Sequence, residues 1–430
     1  MIRASLILPL MLVSTLATAQ APKQNALWIG SWSASQQIPE ANNALPASDL
    51  DHVLLRQIVH LSAGGPALRL HLSNAFGTQP LHFTSVHVAR PRALGSSAVI
   101  PGTDQTALFH GMREVTIPAG AEYISDPIEM PAPPLSDWAV TIETSESPAV
   151  QTGHPGSRAT SYIAHAGSPA DLDLSDAKAV EHWYFLSGID VQSSSGAAAI
   201  VALGDSITDG HGATTNGNDR WTDVLAQRLQ SSSATHSLSV LNQGIGGNHL
   251  LTDGLGPNAL ARFDRDVLAQ PGVRFVLVLE GINDLGGSTI NGEISPAAHA
   301  DLVARILGAY EQLIERAHSH NLRIFGATIT PDLGSGYYHP EQASEADRQA
   351  INTWIRTPGH FDGVVDFDRA VADPTHPDHL RPSFDSGDHL HPSPAGYRAM
   401  AGAIDVNIFA VSLPTRAQTA RGLHAAGSRK

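Results

Sequence analysis

Two kinds of hydrophobic pattern divide the chain. From about Trp28 to Val191 apolar positions recur at every second residue: Leu68, Leu70 and Leu72 alternate with Arg69, His71 and Ser73, and Val140 and Ile142 alternate with Thr141 and Glu143. Phe83 and Val86-His87-Val88 continue the pattern. A period of two turns one face of an extended strand toward a core and leaves the other polar. Turn clusters such as Ala63-Gly64-Gly65-Pro66 and Pro131-Ala132-Pro133-Pro134 punctuate the runs. Short strands separated by turn signals predict a β-sandwich or jelly-roll domain over residues 24–191. Gln192-Ser193-Ser194-Ser195-Gly196 then reads as a linker, residues 192–196.

Beyond the linker, the apolar residues come in short continuous runs: Ala198 to Leu203, Leu238 to Leu241, Phe275 to Leu279 and Ile324 to Ile329. Such runs fit strands of a parallel sheet buried on both faces. Helical stretches lie between them. The clearest starts with Ser295 as N-cap and Pro296 at the first helical position, carries Leu302, Ile306, Leu313 and Ala317 on one stripe, and ends at Asn321. Trp221 to Leu229 and Glu341 to Ile355 read as two more, the former capped by Asn218 or Asp219. Strands alternating with helices predict a doubly wound α/β/α sandwich over residues 197–412, with its chemistry in the loops at the carboxyl ends of the strands.

Composition narrows the class. The 430 residues are 42% hydrophobic and 16% charged, the profile of an ordinary folded protein that buries a large core. A formal net charge of −15 without a Lys/Arg patch argues against nucleic acid or an anionic membrane as partner. The absence of cysteine excludes disulfides, thiolate metal sites and a cysteine nucleophile. Met1-Ile2-Arg3, the apolar stretch Ala4 to Val13 and Ala17-Thr18-Ala19 together read as a secretory signal peptide over residues 1–19, too short to span a bilayer. No other stretch has the length and apolarity of a membrane span, so a periplasmic or secreted location is expected. Residues 413–430, small and polar, read as a disordered tail.

Candidate chemistry sits at the strand ends. Ser206 in Gly204-Asp205-Ser206-Ile207 follows the first apolar run, where a serine hydroxyl needs a base to become a nucleophile and the base needs a carboxylate to orient it. Asp388 and His391 in Asp388-His389-Leu390-His391-Pro392 supply that pair, with His389 as the rival base; which ring nitrogen faces which partner is left open by the sequence. Oxyanion donors are available from the backbone of Ser206, the backbone of Gly247 in Gly244-Ile245-Gly246-Gly247 and the side-chain amide of Asn283 in Gly281-Ile282-Asn283-Asp284. Gly244-x-Gly246 imitates a dinucleotide fingerprint, but His249 stands where a third glycine is needed. The stretch Asp373 to His391 holds Asp373, His376, Asp378, His379, Asp385 and His389 in no tight metallohydrolase spacing, so a solvated loop is the better reading and neither metal nor cofactor is called for. Asp205 and Asp209 are expected to bond loop backbone. Trp28 and Trp32 suit core packing better than a sugar platform. His154 and Arg158 of the first domain lie within conceivable reach of the cleft, with nothing in the sequence to decide it.

These four blocks, in this order between about Ala197 and Val411, resemble those of the GDSL or SGNH hydrolases, with Ile207 where that name expects leucine. The resemblance implies a flavodoxin-like α/β/α fold, Ser206 as nucleophile, His391 as base, Asp388 as its partner, and Ser206, Gly247 and Asn283 as oxyanion donors. Residues 24–191 bear a less specific resemblance to the β-domains of exported carbohydrate esterases. The function expected is a serine esterase acting on short acyl esters, acetyl above all, of a small ester or acetylated carbohydrate. A general lipase or aryl-esterase is the nearest alternative, and a catalytically silent carbohydrate-binding protein the one from another class. The oligomeric state is not written in the sequence.

Overall fold

The computed structural model describes residues 27–194 and 196–409. The segments read as signal peptide and tail lie outside the described residues. The strands of the first domain are, in chain order, β1 (Leu27–Ser33), β2 (Leu54–His60), β3 (Leu68–Ser73), β4 (Leu81–Ala89), β5 (Gln105–Thr106), β6 (Val115–Ile117), β7 (Glu122–Ile124), β8 (Asp137–Thr144), β9 (Gly153–His154), β10 (Ser161–Ala164), β11 (Lys178–Val180), β12 (Trp183–Tyr184) and β13 (Leu186–Ser193). One sheet has the order β1-β13-β3-β7; the other runs β11-β10-β2-β8-β4-β5, with β6 also on β4. All their pairings are antiparallel. Leu68, Leu70 and Leu72 of β3 and Val140 and Ile142 of β8 enter one core between the sheets, as the alternation requires.

The second domain builds on β14 (Ala198–Gly204), α1 (Ser206–Asp209), α2 (Trp221–Gln230), β15 (Leu238–Gly244), α3 (Ala259–Phe263), β16 (Val273–Leu279), α4 (Ile282–Thr289), α5 (Pro296–Ser319), β17 (Arg323–Ala327), α6 (Gln342–Arg356), β18 (Val364–Val365), α7 (Phe367–Val371) and α8 (Pro394–Ala403). Its sheet order is β15-β14-β16-β17-β18 with every pairing parallel, the order of flavodoxin-like folds. Ala198 to Leu203 and Phe275 to Leu279 are buried throughout, because helices cover both sheet faces. The chain leaves β14 for β15 on one side and reaches β16 on the other, so a crevice opens beyond their carboxyl ends. β18, only two residues long, carries no periodic signal.

Several sequence expectations hold locally. Ser295 caps α5 with Pro296 in its first turn, and Ile306, Leu313 and Ala317 are buried, while Leu302 is half-buried. The cap of α2 needs correction. Asn218 instead donates to Asp137 (3.3 Å) and Asp219 accepts from the Thr214 N–H (2.9 Å), while Asp223 reaches back to the Arg220 N–H (3.1 Å). A carboxylate at the third helical position closing on the N-cap N–H is one half of a capping box and satisfies an orphan donor that a side-chain cap does not reach. Trp32 is buried edge-on against Trp183 (ring centroids 4.9 Å apart), the packing role expected of it.

The polar face of the first sheet is not left to water. β1 lies against the edge strand β15: Gly30 N–H donates to Pro271 C=O (2.9 Å), Val240 N–H to Ser62 Oγ (3.0 Å) and Gln243 Nε2 to Ser33 Oγ (2.8 Å). A side chain at Gly30 would meet Leu241. The two domains thus share a polar seam that covers an open sheet edge. Next to it, His71 is sandwiched between Glu122 (Nδ1, 2.9 Å) and Asp190 (Nε2, 2.9 Å), and Asp190 also takes Arg69 (2.7 Å).

Burial alone would drive the His71 proton off, but the Asp190 charge, with hydrogen bonds to Asp190 and Glu122, outweighs it and raises the ring to about 9. In the unfolded chain it titrates near 6.5. The ion pair therefore contributes in full below about pH 6.5 and is lost as pH climbs through 9. Melting followed by calorimetry should show stability falling over that window by on the order of 1–3 kcal/mol. His71→Gln should flatten that part of the curve; the same slope in the variant would show that another group carries it.

Candidate active site

Each functional block leaves a strand end in its own way. Asp205 follows β14 in extended conformation and its Oδ1 accepts the Ile207 N–H (2.8 Å), which starts α1 with Ser206 at the first helical position. The tip of β15 lies against this turn so closely that a Cβ on Gly244 would sit 2.2 Å from the Asp209 backbone nitrogen, which only glycine permits. Beyond β15, Gly247 adopts φ of 64°, a left-handed conformation that glycine takes without strain, and lines the crevice. After β16, Gly281 begins α4 and Asn283 stands in its first turn. The last block is a clamped loop: Ser386 N–H bonds His391 C=O (3.0 Å), Ser393 N–H bonds Phe384 C=O (2.7 Å), and Ser393 caps α8.

The structure brings the predicted residues together. Ser206 Oγ is 2.8 Å from His391 Nε2, and His391 Nδ1 is 2.6 Å from Asp388 Oδ2. A carboxylate only accepts, so Nδ1 carries the proton toward Asp388 and Nε2 faces the serine, the assignment the sequence left open. Asp388 Oδ1 also accepts the backbone N–H groups of Leu390 (3.0 Å) and His391 (2.8 Å). Burial would raise the Asp388 carboxyl, but its hydrogen bonds with His391 and the charge of that ring hold it well below the usual range. His389 turns away and pairs with Asp385 (2.6 Å).

Ser206, Gly247 and Asn283 line one cavity of about 560 Å³ together with His391 and Asp388. Among the described residues, the backbone N–H groups of Ser206 and Gly247 have no acceptor. Asn283 donates one Nδ2 hydrogen to Asn248 C=O (2.7 Å), while its Oδ1 takes the Tyr338 hydroxyl (2.6 Å). Because a backbone carbonyl accepts only, the amide orientation is fixed and its second hydrogen is free. Tyr338 is buried, and its ring occupies the space a Cβ on Gly286 would take.

Arg262 and His211 escaped the sequence reading, which left the reach of His154 and Arg158 undecided and gave Asp209 another partner. Arg262 on α3, fully buried, donates to Gly204 C=O (2.9 Å), Gln243 C=O (2.6 Å), Asn248 Oδ1 (3.0 Å), Glu280 (3.3 Å) and Asp266 (3.0 Å). Around it Asp205, Glu280 and Asp284 have their carboxyls pushed up, chiefly by burial; one guanidinium does not offset that for Glu280 beside Asp205. His211 stacks on His391 (centroids 4.0 Å apart) and stands 3.8 Å from Asp388, with burial, then His391 and Arg158, lowering it to about 4. Asp209 does not bond loop backbone through its side chain: it meets His154 of the β-domain (2.9 Å), whose other nitrogen faces Ser35 C=O (2.8 Å). Arg158, from the same domain, lines the cavity. None had a spacing signal in its neighbourhood.

His211, Asp388 and His391 are also the one described group of three whose ligand atoms lie within 4.8 Å of one another, and two of them are engaged with Ser206 and each other. His376 and His379 lie outside any such group among the described residues; His379 bonds Asp378 (2.7 Å).

A parallel sheet that gathers a serine, a histidine and an aspartate beside three N–H donors has the makings of an ester-hydrolysing α/β enzyme. Residues 202–399 match the model of the GDSL-like Lipase/Acylhydrolase family. Among solved structures, a protein of the G-D-S-L family from Desulfitobacterium hafniense is 22% identical, covering 48% of this chain and 97% of its own (TM-score 0.36). The lipase/acylhydrolase from Enterococcus faecalis is 20% identical over 48% and 92% (TM-score 0.36), and an acetyl xylan esterase 17% identical over 48% and 96% (TM-score 0.36). No curated protein matches the chain.

The Tyr338 hydroxyl holds the Asn283 amide, so Tyr338→Phe should lower kcat for a simple ester about five- to tenfold, the worth of roughly 1 kcal/mol of hydrogen bonding, with KM moving less than twofold. Steady-state kinetics decides it; a loss confined to KM would assign the hydroxyl to substrate binding.

Proposed function

We propose that the chain is an exported serine esterase that removes short acyl groups, acetyl foremost, from carbohydrate through an acyl-enzyme. The observation that carries the reading is the continuous line from Ser206 Oγ through His391 to Asp388 at 2.8 and 2.6 Å, beside unpaired donors from three strand ends. In it, Ser206 Oγ attacks the ester carbonyl carbon as His391 Nε2 takes the hydroxyl proton. The carbonyl oxygen, now anionic, accepts from the N–H groups of Ser206 and Gly247 and from the Asn283 amide. On collapse, the bond to the alcohol oxygen breaks and His391 returns its proton to that oxygen. Water then attacks the acyl-serine, His391 accepts and redelivers a proton, and the carboxylic acid leaves with Ser206 restored. Asp388 stabilises the imidazolium at each step without taking its proton.

The short acyl group is supported by Leu255, which packs against Gly247 on the oxyanion side, and the carbohydrate by Tyr337, an aromatic ring 64% exposed on the cavity wall. Export rests on the leader pattern of residues 1–19, and removal of that leader after Ala19 would put the enzyme where acetylated polysaccharides occur. Where it does not pack on Gly247, Leu255 is 52% exposed, and that open apolar side favours an aryl-esterase or longer-chain activity as the second reading.

Ser206→Ala should reduce hydrolysis of p-nitrophenyl acetate by at least about 10³-fold and abolish the mass increment of one acetyl group seen on quenched wild-type enzyme. Unchanged turnover in the variant would end the serine mechanism. Across p-nitrophenyl esters of rising length and acetylated xylan, kcat/KM should be greatest for acetyl; a maximum at long chains would favour the second reading. Amino-terminal sequencing of protein from a culture supernatant or periplasm should begin at Gln20, and an intact Met1 on cytoplasmic protein would rule out export.

A further inference from the structure

We propose that Arg158, carried into the reactive cavity by the β-domain, binds a carboxylate on the alcohol part of the substrate, so that the preferred esters are those of acidic sugars or other acidic alcohols. The proposal rests on the esterase reading above and names the class of alcohol.

Among the described residues lining that cavity, Arg158 is the only arginine or lysine. Its guanidinium is only weakly engaged, by one long hydrogen bond and one ion pair at the edge of contact. Nη2 is 3.4 Å from His211 Nδ1 and 3.9 Å from Asp209 Oδ2, and Nε, though buried, has no acceptor. The buried arginines elsewhere are bound: Arg348 reaches Glu345, Asp368 and Ile329 C=O, each within 2.8 Å, and Arg262 has six partners. Asp209, the nearest carboxylate, is already held by His154 at 2.9 Å. A guanidinium whose side chain is 26% exposed and lacks a carboxylate at bonding distance presents a planar fork suited to accept one.

The backbone is set to hold it there. Arg158 has φ of 49°, a left-handed conformation that costs a non-glycine residue on the order of 1 kcal/mol and is kept where surrounding structure enforces it. Here the enforcement comes across the domain boundary: Asn216 N–H donates to Arg158 C=O (2.8 Å), and Asn216 Oδ1 accepts the Thr160 N–H (2.8 Å). In a protein of formal net charge −15, the overall field repels an anionic substrate, so a dedicated cation at the site is what would admit one.

Position assigns the carboxylate to the alcohol. Arg158 touches His211, which stacks on His391, the residue that hands a proton to the departing alcohol. That leaves the part of the cavity wall where Gly247 and Leu255 adjoin for the acyl group.

The test compares 4-acetoxybenzoate with phenyl acetate in wild type, Arg158→Gln, Arg158→Lys and Ser206→Ala. Because the two esters differ in leaving group, the readout is the ratio of their kcat/KM values and its change between enzymes. Arg158→Gln should lower the ratio, acidic over neutral, by tenfold or more, and Arg158→Lys by less, since the charge stays and the fork is lost. A ratio unchanged within twofold in both variants, whatever the loss of absolute rate, would overturn the proposal and leave Arg158 as a brace for His211. Ser206→Ala separates the two levels. If it hydrolyses neither ester while the ratio stays flat, only the Arg158 assignment fails; if it hydrolyses both as wild type does, the esterase reading itself fails.

Discussion

The geometry of the site depends on one buried guanidinium. The Arg262 side chain has no exposed surface and spends its donors on the carbonyls that end β14 and β15, on Glu280 at the end of β16 and on Asn248 in the glycine loop. Those three strands lead into Ser206, Gly247 and Asn283. Neighbouring parallel strands share a ladder, but nothing in the ladder fixes how the loops beyond it diverge. A rigid fork bonded to all three ends does. Desolvating such a charge costs several kcal/mol, offset only when every donor is matched, and the near-complete matching here is what makes the arrangement both stable and single-valued.

The same residue sets the electrostatics. Asp205, Glu280 and Asp284 crowd around it, and behind Ser206 burial pushes all three carboxyls up, toward their neutral forms. Each acid is a sequence neighbour of a functional group: Asp205 precedes Ser206, and Glu280 and Asp284 bracket Asn283. Asp205 accepts the Ile207 N–H and Asp284 those of Leu250 and Leu251 (2.8 and 3.0 Å), so both act as loop formers. In front of the nucleophile the order is reversed. Asp388, more exposed and accepting several hydrogen bonds, stays ionised beside His391. One acidic environment shapes the backbone and the other supplies charge to the base.

The parts legible in the sequence were those with a period or a fixed spacing. Alternation identified the β-sandwich, continuous apolar runs identified β14 to β17, and the four short blocks identified the residues that meet in the cavity. What escaped had neither. Arg262 is one arginine on a short helix and looks solvated until the three strand ends converge on it. His211 and Tyr338 take their places through tertiary contacts alone, with His391 and Asn283 as partners more than fifty residues away in the chain. The helix cap at α2 failed because Asn218 and Asp219 were drawn into other hydrogen bonds, where tertiary demand outweighs local preference.

The alternation in the first domain also concealed how that domain is used. A period of two distinguishes a core face from a polar face but does not say what the polar face meets. Here it meets the second domain: Ser33, Ser62 and Gly30 bond across the seam, Ser35 bonds Asp266, which in turn bonds Arg262, and His154 bonds Asp209 at the end of the nucleophile turn. An accessory module that docks through exposed apolar surface can be removed and leave an intact enzyme. One that satisfies a buried carboxylate of its neighbour cannot, since its removal would strip Asp209 of its His154 partner beside Ser206. The sandwich is therefore a wall of the catalytic domain's own core, and the segment around Arg158 and His154 reaches the cavity because that wall must close there.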